Sequence, residues 1–177
     1  MDRDEFWQLI EQARGSVSDH DDGEAVAARA TALLAARPRE EIVAAQQVFW
    51  DLMADSYRDP LWAAAYLING GCSDDGFDYF RGWLILQGRE TFERAVREPD
   101  TLAQWPAVRA AAAEEEELEC EDALGIAWDA HLAATGAELP EDSFTIHLPD
   151  LGPAEALDFD DDAQLAARLP RLAELYG

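Results

Sequence analysis

The sequence predicts an all-α fold: a single compact domain over residues 1–177, with about seven to eight helices and at most one short extended segment. Apolar residues recur three and four positions apart along most of the chain, which is the spacing of one face of an α-helix. Gly, Pro and Asn interrupt these stretches where helices would end. Six Trp, seven Phe and four Tyr supply more apolar surface than a disordered chain carries. A chain of 177 residues is long enough to bury a substantial core.

Five helices are predicted in the first half of the chain, each from its own apolar stripe. The stripes span residues 6–13, 26–34, 42–53, 61–68 and 77–86. The fourth stripe is apolar on all faces, which predicts a helix in the middle of the bundle. Asn69-Gly70-Gly71 ends this helix, and Ser73 is a suitable N-cap for the next one.

Shorter helices are predicted in the second half of the chain. They span residues 90–97, 106–119 and 121–135, and a last one starts at residues 160–162. Pro170 is expected to kink or split this last helix. The segment Phe144 to Leu148 alternates apolar and polar residues, so it is the one predicted extended segment.

The net charge is −25, and it is unevenly distributed. Residues 1–113 contain 20 acidic residues and 11 Arg, a net charge of −9, whereas residues 114–177 contain 18 acidic residues and 2 Arg, a net charge of −16. We therefore expect an acidic flank from about residue 114. Such a chain is repelled by phosphate backbones and by anionic lipid, which argues against nucleic acid and membranes as partners. A basic protein surface is the partner that the flank would attract.

Several kinds of chemistry are excluded by composition. All thirteen basic residues are Arg, so Schiff-base chemistry and a phosphate-binding loop, which need Lys, are ruled out, and no cofactor is predicted. The three His and two Cys lack metal-ligand spacing, so no metal is predicted. We expect Cys72 and Cys120 to be protonated thiols in a reducing, cytoplasmic setting. The opening Met-Asp-Arg-Asp-Glu does not predict a secretory signal, and the longest apolar stretch, Leu61 to Ile68, is shorter than a bilayer span requires.

A polar strip runs along the otherwise apolar fifth helix. At 100° per residue, Asp74, Asp78 and Arg81 fall on one side, and both carboxylates can reach the guanidinium. Two interpretations stay open: a structural ion network, and a polar ligand site beneath the Asn69-Gly70-Gly71 turn. No catalytic residue is predicted. The candidate ligand-binding residues are Asn69, Asp74, Asp75, Asp78, Tyr79 and Arg81.

Residues Ile68 to Arg89 read INGGCSDDGFDYFRGWLILQGR. Together with the opening EFWQLIEQAR and the closing DDDAQLAARLPRLAELYG, this stretch resembles a bacterial family, domain-of-unknown-function family 4240. The resemblance covers most of the chain and implies a small helical domain, without implying an activity, a cofactor or a catalytic residue. The acidic run Glu114 to Glu119 lies outside these stretches.

Three classes of function remain open. We favour a non-catalytic protein-interaction or regulatory module, of the inhibitor or immunity type, that docks its acidic flank on a basic protein surface. The alternative is a small enzyme or ligand-binding protein that uses Asp74, Asp78 and Arg81. A nucleic-acid mimic fits less well, because the acidic residues cluster by segment. A concave pocket over the polar strip would favour the ligand site, and packed aromatic side chains would favour a structural role.

Overall fold

The computed structural model describes residues 1–151, 157–159 and 161–177, with the side chain of Glu141 excepted. In this part of the chain all regular elements are helices, and there is no strand. Two short 3-10 helices span Pro99–Gln104 and Glu141–Ser143. The α-helices are α1 (Arg3–Arg14), α2 (Gly23–Ala35), α3 (Arg39–Ser56), α4 (Asp59–Ile68), α5 (Asp74–Leu86), α6 (Arg89–Arg97), α7 (Pro106–Glu114), α8 (Asp122–Thr135), α9 (Asp162–Arg168) and α10 (Pro170–Tyr176). The all-α prediction is confirmed.

The described helices outnumber the seven to eight predicted. One reason is Pro170, which lacks a backbone N–H and splits the C-terminal helix into α9 and α10. Another is Pro99, which starts a separate 3-10 helix directly after α6. None of these helices is long and apolar enough to cross a membrane, as far as the described residues go.

Two helix starts are fixed by their caps. At α1, the Asp2 carboxylate accepts the Glu5 N–H at 2.9 Å, and the Glu5 carboxylate accepts the Asp2 N–H at 2.8 Å, a reciprocal capping box. At α5, the Ser73 hydroxyl accepts the Gly76 N–H at 3.1 Å, as predicted. Each such cap is worth about 1 kcal/mol.

The apolar core contains side chains from every α-helix. Helix α5 is deeply buried: Phe77, Phe80, Trp83 and Leu84 are each no more than 2% exposed. Gly82 lets α5 approach the chain just before α8, because a Cβ there would lie only 2.9 Å from the Cys120 carbonyl oxygen. This close approach packs the segment just before α8 against the middle of α5.

The predicted helix over residues 106–119 is too long. Helix α7 ends at Glu114, and Glu115 adopts a left-handed conformation with φ of 57°. Consecutive glutamates repel one another in a helix, which weakens its continuation. The chain then runs without regular structure to α8, so the acidic run is exposed but not helical.

The predicted extended segment is extended at Phe144, although it pairs with no strand among the described residues. Gln47 of α3 holds it in place. The Gln47 amide donates to the Thr145 carbonyl at 3.1 Å and accepts the Thr145 N–H at 2.8 Å. Ile146 and Leu148 remain 51% and 44% exposed.

Candidate functional site

Arg81 lies at the centre of the predicted polar strip, and its side chain is fully buried. The guanidinium donates to the Asp78 carboxylate one turn earlier on α5. It also donates to the Met53 carbonyl of α3, and its Nε donates to the Phe77 carbonyl at 3.3 Å. All three guanidinium nitrogens thus have acceptors, so Arg81 joins α5 to α3.

Aromatic rings close around this guanidinium. Its central carbon lies 4.6 Å from the ring centre of Phe77 and 5.1 Å from that of Tyr57, which are cation–π distances. Trp62 of α4 stacks on Phe77 with the ring centres 4.8 Å apart. Burial lowers the pKa of Arg81, and the Asp78 carboxylate opposes that shift. Packed side chains therefore surround the guanidinium and leave no space for a ligand to contact it. This favours a structural role for the Asp78–Arg81 pair over a ligand site.

Asp74 does not share the ion pair. Its side chain is exposed, and within the described residues it forms no ion pair with Arg81. Asp78 itself remains 32% exposed, so one side of its carboxylate meets water. The polar strip is thus divided into a buried inner pair and an exposed outer end.

Asn69 also has a partner, which is distant in sequence. Its amide oxygen accepts the Leu118 N–H at 2.9 Å, and its amide nitrogen donates to the Leu118 carbonyl at 3.3 Å. A side-chain amide can match the backbone in this way because it carries a donor and an acceptor. Asn69 therefore ties the acidic run after α7 to the end of α4.

A second tie lies at Tyr79. The Cys120 N–H donates to the Tyr79 carbonyl at 3.0 Å. The pKa of the partly exposed Tyr79 hydroxyl is raised, chiefly by the charge of Glu121 and then by burial, with Asp75 and Glu119 adding to the shift. Asp75, Glu119 and Glu121 therefore all lie close to the Tyr79 hydroxyl, although the two glutamates follow Asp75 by more than 40 positions in the sequence.

These ties assemble one exposed acidic surface from two parts of the sequence. We call it the acidic face, and its residues are Asp74, Asp75, Glu115, Glu116, Glu117, Glu119 and Glu121. Within the described part of the chain, none of the seven forms an ion pair, whereas carboxylates elsewhere do, such as Asp55 with Arg3 at 2.7 Å. The acidic face brings the candidate residues Asp74, Asp75 and Tyr79 together with glutamates of the predicted acidic flank.

The two cysteines are free thiols. Burial raises the pKa of both Cys72 and Cys120 to about 11. At Cys72, the charges of Glu119 and Glu117 add to this rise. Burial is therefore the main reason why both thiols hold their protons, and nearby carboxylates add to it.

His131 is fully buried and hydrogen-bonded through both ring nitrogens. Its Nε2 accepts from Arg39 Nε at 3.1 Å, and its Nδ1 lies 2.9 Å from the Ala137 carbonyl oxygen. Since Arg39 can only donate, Nε2 carries no proton and Nδ1 donates. Within the described residues, no group of three or more His, Cys, Asp or Glu side chains could hold a metal ion.

The sequence model of the family described as "Protein of unknown function (DUF4240)" matches residues 1–132, three quarters of the chain. The chain belongs to this family. The match includes the Asp78–Arg81 pair and the whole acidic face, and it ends before the closing stretch that also suggested the resemblance. No curated protein and no solved structure matches the chain.

Sequence reasoning missed the residues that hold the site together. Tyr57, just after α3, covers Arg81, Trp62 of α4 stacks on the neighbouring Phe77, and Leu118 bonds to Asn69 across 49 positions. The turn at Asn69 was a usable signal, since an Asn after a helix often bonds to nearby backbone. Its actual partner could not be read from the sequence.

Proposed function

We propose that the protein is a non-catalytic interaction or regulatory module, of the inhibitor or immunity type, that docks its acidic face on a basic surface of a protein partner. The observation that carries this proposal is that seven exposed carboxylates lie on one surface without an ion-pair partner among the described residues. A chain with thirteen Arg has cations to neutralise them, yet within the described residues no Arg forms an ion pair with any of the seven.

The acidic face is also held in place. Asn69 fixes its middle at Leu118, and Tyr79 fixes its end at Cys120. Carboxylates that are ordered before binding lose less conformational entropy when a partner arrives, which favours affinity. Like charges on one surface repel, and a cationic partner relieves that repulsion when it binds. The negative electrostatic potential of the acidic face also accelerates the approach of such a partner.

The alternative is a small enzyme or ligand-binding protein built on Asp74, Asp78 and Arg81. This function needs the guanidinium to meet a ligand. Arg81 is fully buried, its nitrogens donate to protein acceptors, and Tyr57 and Phe77 cover it. The geometry therefore favours the interaction module.

A cytoplasmic setting is part of the proposal. Its support is that Cys72 and Cys120 are both free thiols, as is usual in a reducing compartment.

The test is capture of partners from the native cell extract, at low salt and at 0.5 M salt, on three immobilised proteins. The first is the wild type. The second carries Glu116→Gln, Glu117→Gln and Glu119→Gln on the acidic face. The third is a matched control that neutralises exposed acids elsewhere: Glu40→Gln, Glu138→Gln and Asp142→Asn. Glu115 is left unchanged because its backbone is left-handed.

We expect a basic protein to be captured by the wild type and by the control at low salt, and to be lost from the acidic-face variant and at high salt. Equal capture by all three proteins would contradict the proposal. So would capture of no basic protein by the wild type at low salt.

A further inference from the structure

Four arginines have no partner inside the described part of the protein. Arg29, Arg97, Arg109 and Arg168 form neither an ion pair nor a side-chain hydrogen bond there. Unpaired, exposed arginines are unexpected in a chain of net charge −25, because a nearby carboxylate is easily found. Two of them, Arg97 and Arg168, line the same groove although they are 71 positions apart.

This groove lies where α6, the 3-10 helix Pro99–Gln104, α9 and α10 meet, and it has a volume of about 390 Å³. Arg97 ends α6, Arg168 ends α9, and Arg171 lies in the first turn of α10. Pro99 and Leu169 lie between them in the chain, but both are buried, so the exposed side chains of the groove are mainly the arginines. The volume lies within the range of small-molecule sites, roughly 300 to 1,000 Å³.

Two acids also line the groove, Asp100 and Glu98, and Asp100 forms a long ion pair with Arg171. Asp100 is only 12% exposed, and its Oδ1 accepts the N–H groups of Arg171 and Leu172 at 3.0 Å each, so it caps α10. Its other oxygen is 3.9 Å from Arg171 Nε, too far for a hydrogen bond. Glu98 is exposed and forms no ion pair within the described residues. The unpaired guanidinium groups of Arg97 and Arg168 therefore share the groove with one unpaired carboxylate, that of Glu98.

We propose that this groove binds the phosphate group of a small phosphorylated molecule. A single ligand carboxylate carries one negative charge, whereas a phosphate monoester carries close to two and offers three acceptor oxygens. Guanidinium groups present paired donors that match phosphate oxygens. The groove is separate from the acidic face, so the proposal does not rest on the proposed function.

The test is NMR titration of the full chain with inorganic phosphate, pyrophosphate and citrate, each at the same ionic strength. We expect saturable shifts for phosphate and pyrophosphate in the amides of residues 97–100 and 168–172. Arg97→Gln and Arg168→Gln should each weaken phosphate binding about tenfold, the value of one hydrogen bond between charged groups. Glu98→Gln should tighten it about threefold, because it removes an exposed like charge.

Arg29→Gln is the matched control, since Arg29 is exposed and unpaired but lies on α2, away from the groove. It should leave phosphate binding unchanged. The proposal is overturned if phosphate and pyrophosphate give no saturable shifts, or if citrate binds and phosphate does not. It is also overturned if the Arg97 and Arg168 variants, with unchanged melting temperature, bind phosphate as well as the Arg29 variant does.

Discussion

Substituting Asp78 alone should cost more stability than substituting Asp78 and Arg81 together. In Asp78→Ala, a fully buried guanidinium loses its only carboxylate while keeping its two carbonyl acceptors. An uncompensated buried charge costs about 3 to 5 kcal/mol. We take the lower end, about 3 kcal/mol, because Asp78 is 32% exposed and its removal admits water to the guanidinium.

In Arg81→Met, the cost has a different origin. The Met53 and Phe77 carbonyls each lose one donor, at about 1 kcal/mol each, while the Asp78 carboxylate turns to water. The loss is therefore about 2 kcal/mol. The double variant leaves no buried charge and should also lose about 2 kcal/mol, so the coupling between the two residues is about 3 kcal/mol.

The assay is urea denaturation of the wild type, both single variants and the double variant, analysed as a two-state transition. The control is the same cycle on Glu90 and Arg94, an exposed pair one turn apart on α6, whose coupling should be at most about 0.5 kcal/mol. A coupling below about 0.5 kcal/mol for Asp78 and Arg81 would refute the reasoning and return the strip to the ligand-site hypothesis.

Three further predictions concern the acidic run, the thiols and the net charge. Asn69→Ala removes both bonds to Leu118, so the protein should lose about 2 kcal/mol, and hydrogen exchange at the Leu118 amide should accelerate. Because the folded state raises the pKa of Cys72 and Cys120 to about 11 from 9.0, it holds their protons more tightly than the unfolded state does. This contribution to stability is complete below pH 9.0 and is lost as the pH rises towards 11, so the denaturation midpoint should fall more steeply there than in Cys72→Ala/Cys120→Ala. Finally, the melting temperature should rise as salt increases from about 0.01 to 0.15 M, since screening reduces self-repulsion, and a flat or falling curve would contradict this.

Helix positions were predictable because they depend on local pattern. Apolar spacing located the stripes, Ser73 marked the start of α5, and Pro170 marked the break between α9 and α10. The end of α7 was not predictable in this way. The chain leaves the helix at Glu115, where local charge repulsion acts together with the bond from Asn69 to Leu118. That bond connects positions 49 apart, and no local rule reveals it.

Only the part of the candidate site that depends on local spacing was predicted. The pairing of Asp78 with Arg81 follows from their spacing on one helix, and the structure contains it. The helical spacing of 100° per residue also predicts that Asp74 lies near Arg81. In the structure, however, Asp74 is exposed in the first turn of α5, whereas the Arg81 side chain is buried and donates to the Met53 carbonyl of α3. The acidic face depends on tertiary contacts at Leu118 and Cys120, so the sequence indicated its charge but not its members from α5.

The association rate constant of the captured basic partner tests the central claim most directly. It is measured by stopped flow for the wild type, the acidic-face variant and the matched control over a range of salt concentrations. If the acidic face steers the partner, the rate constant should fall about tenfold with rising salt and about tenfold in the acidic-face variant, and the control should match the wild type. A rate constant that is independent of salt and equal in all three proteins would contradict the account.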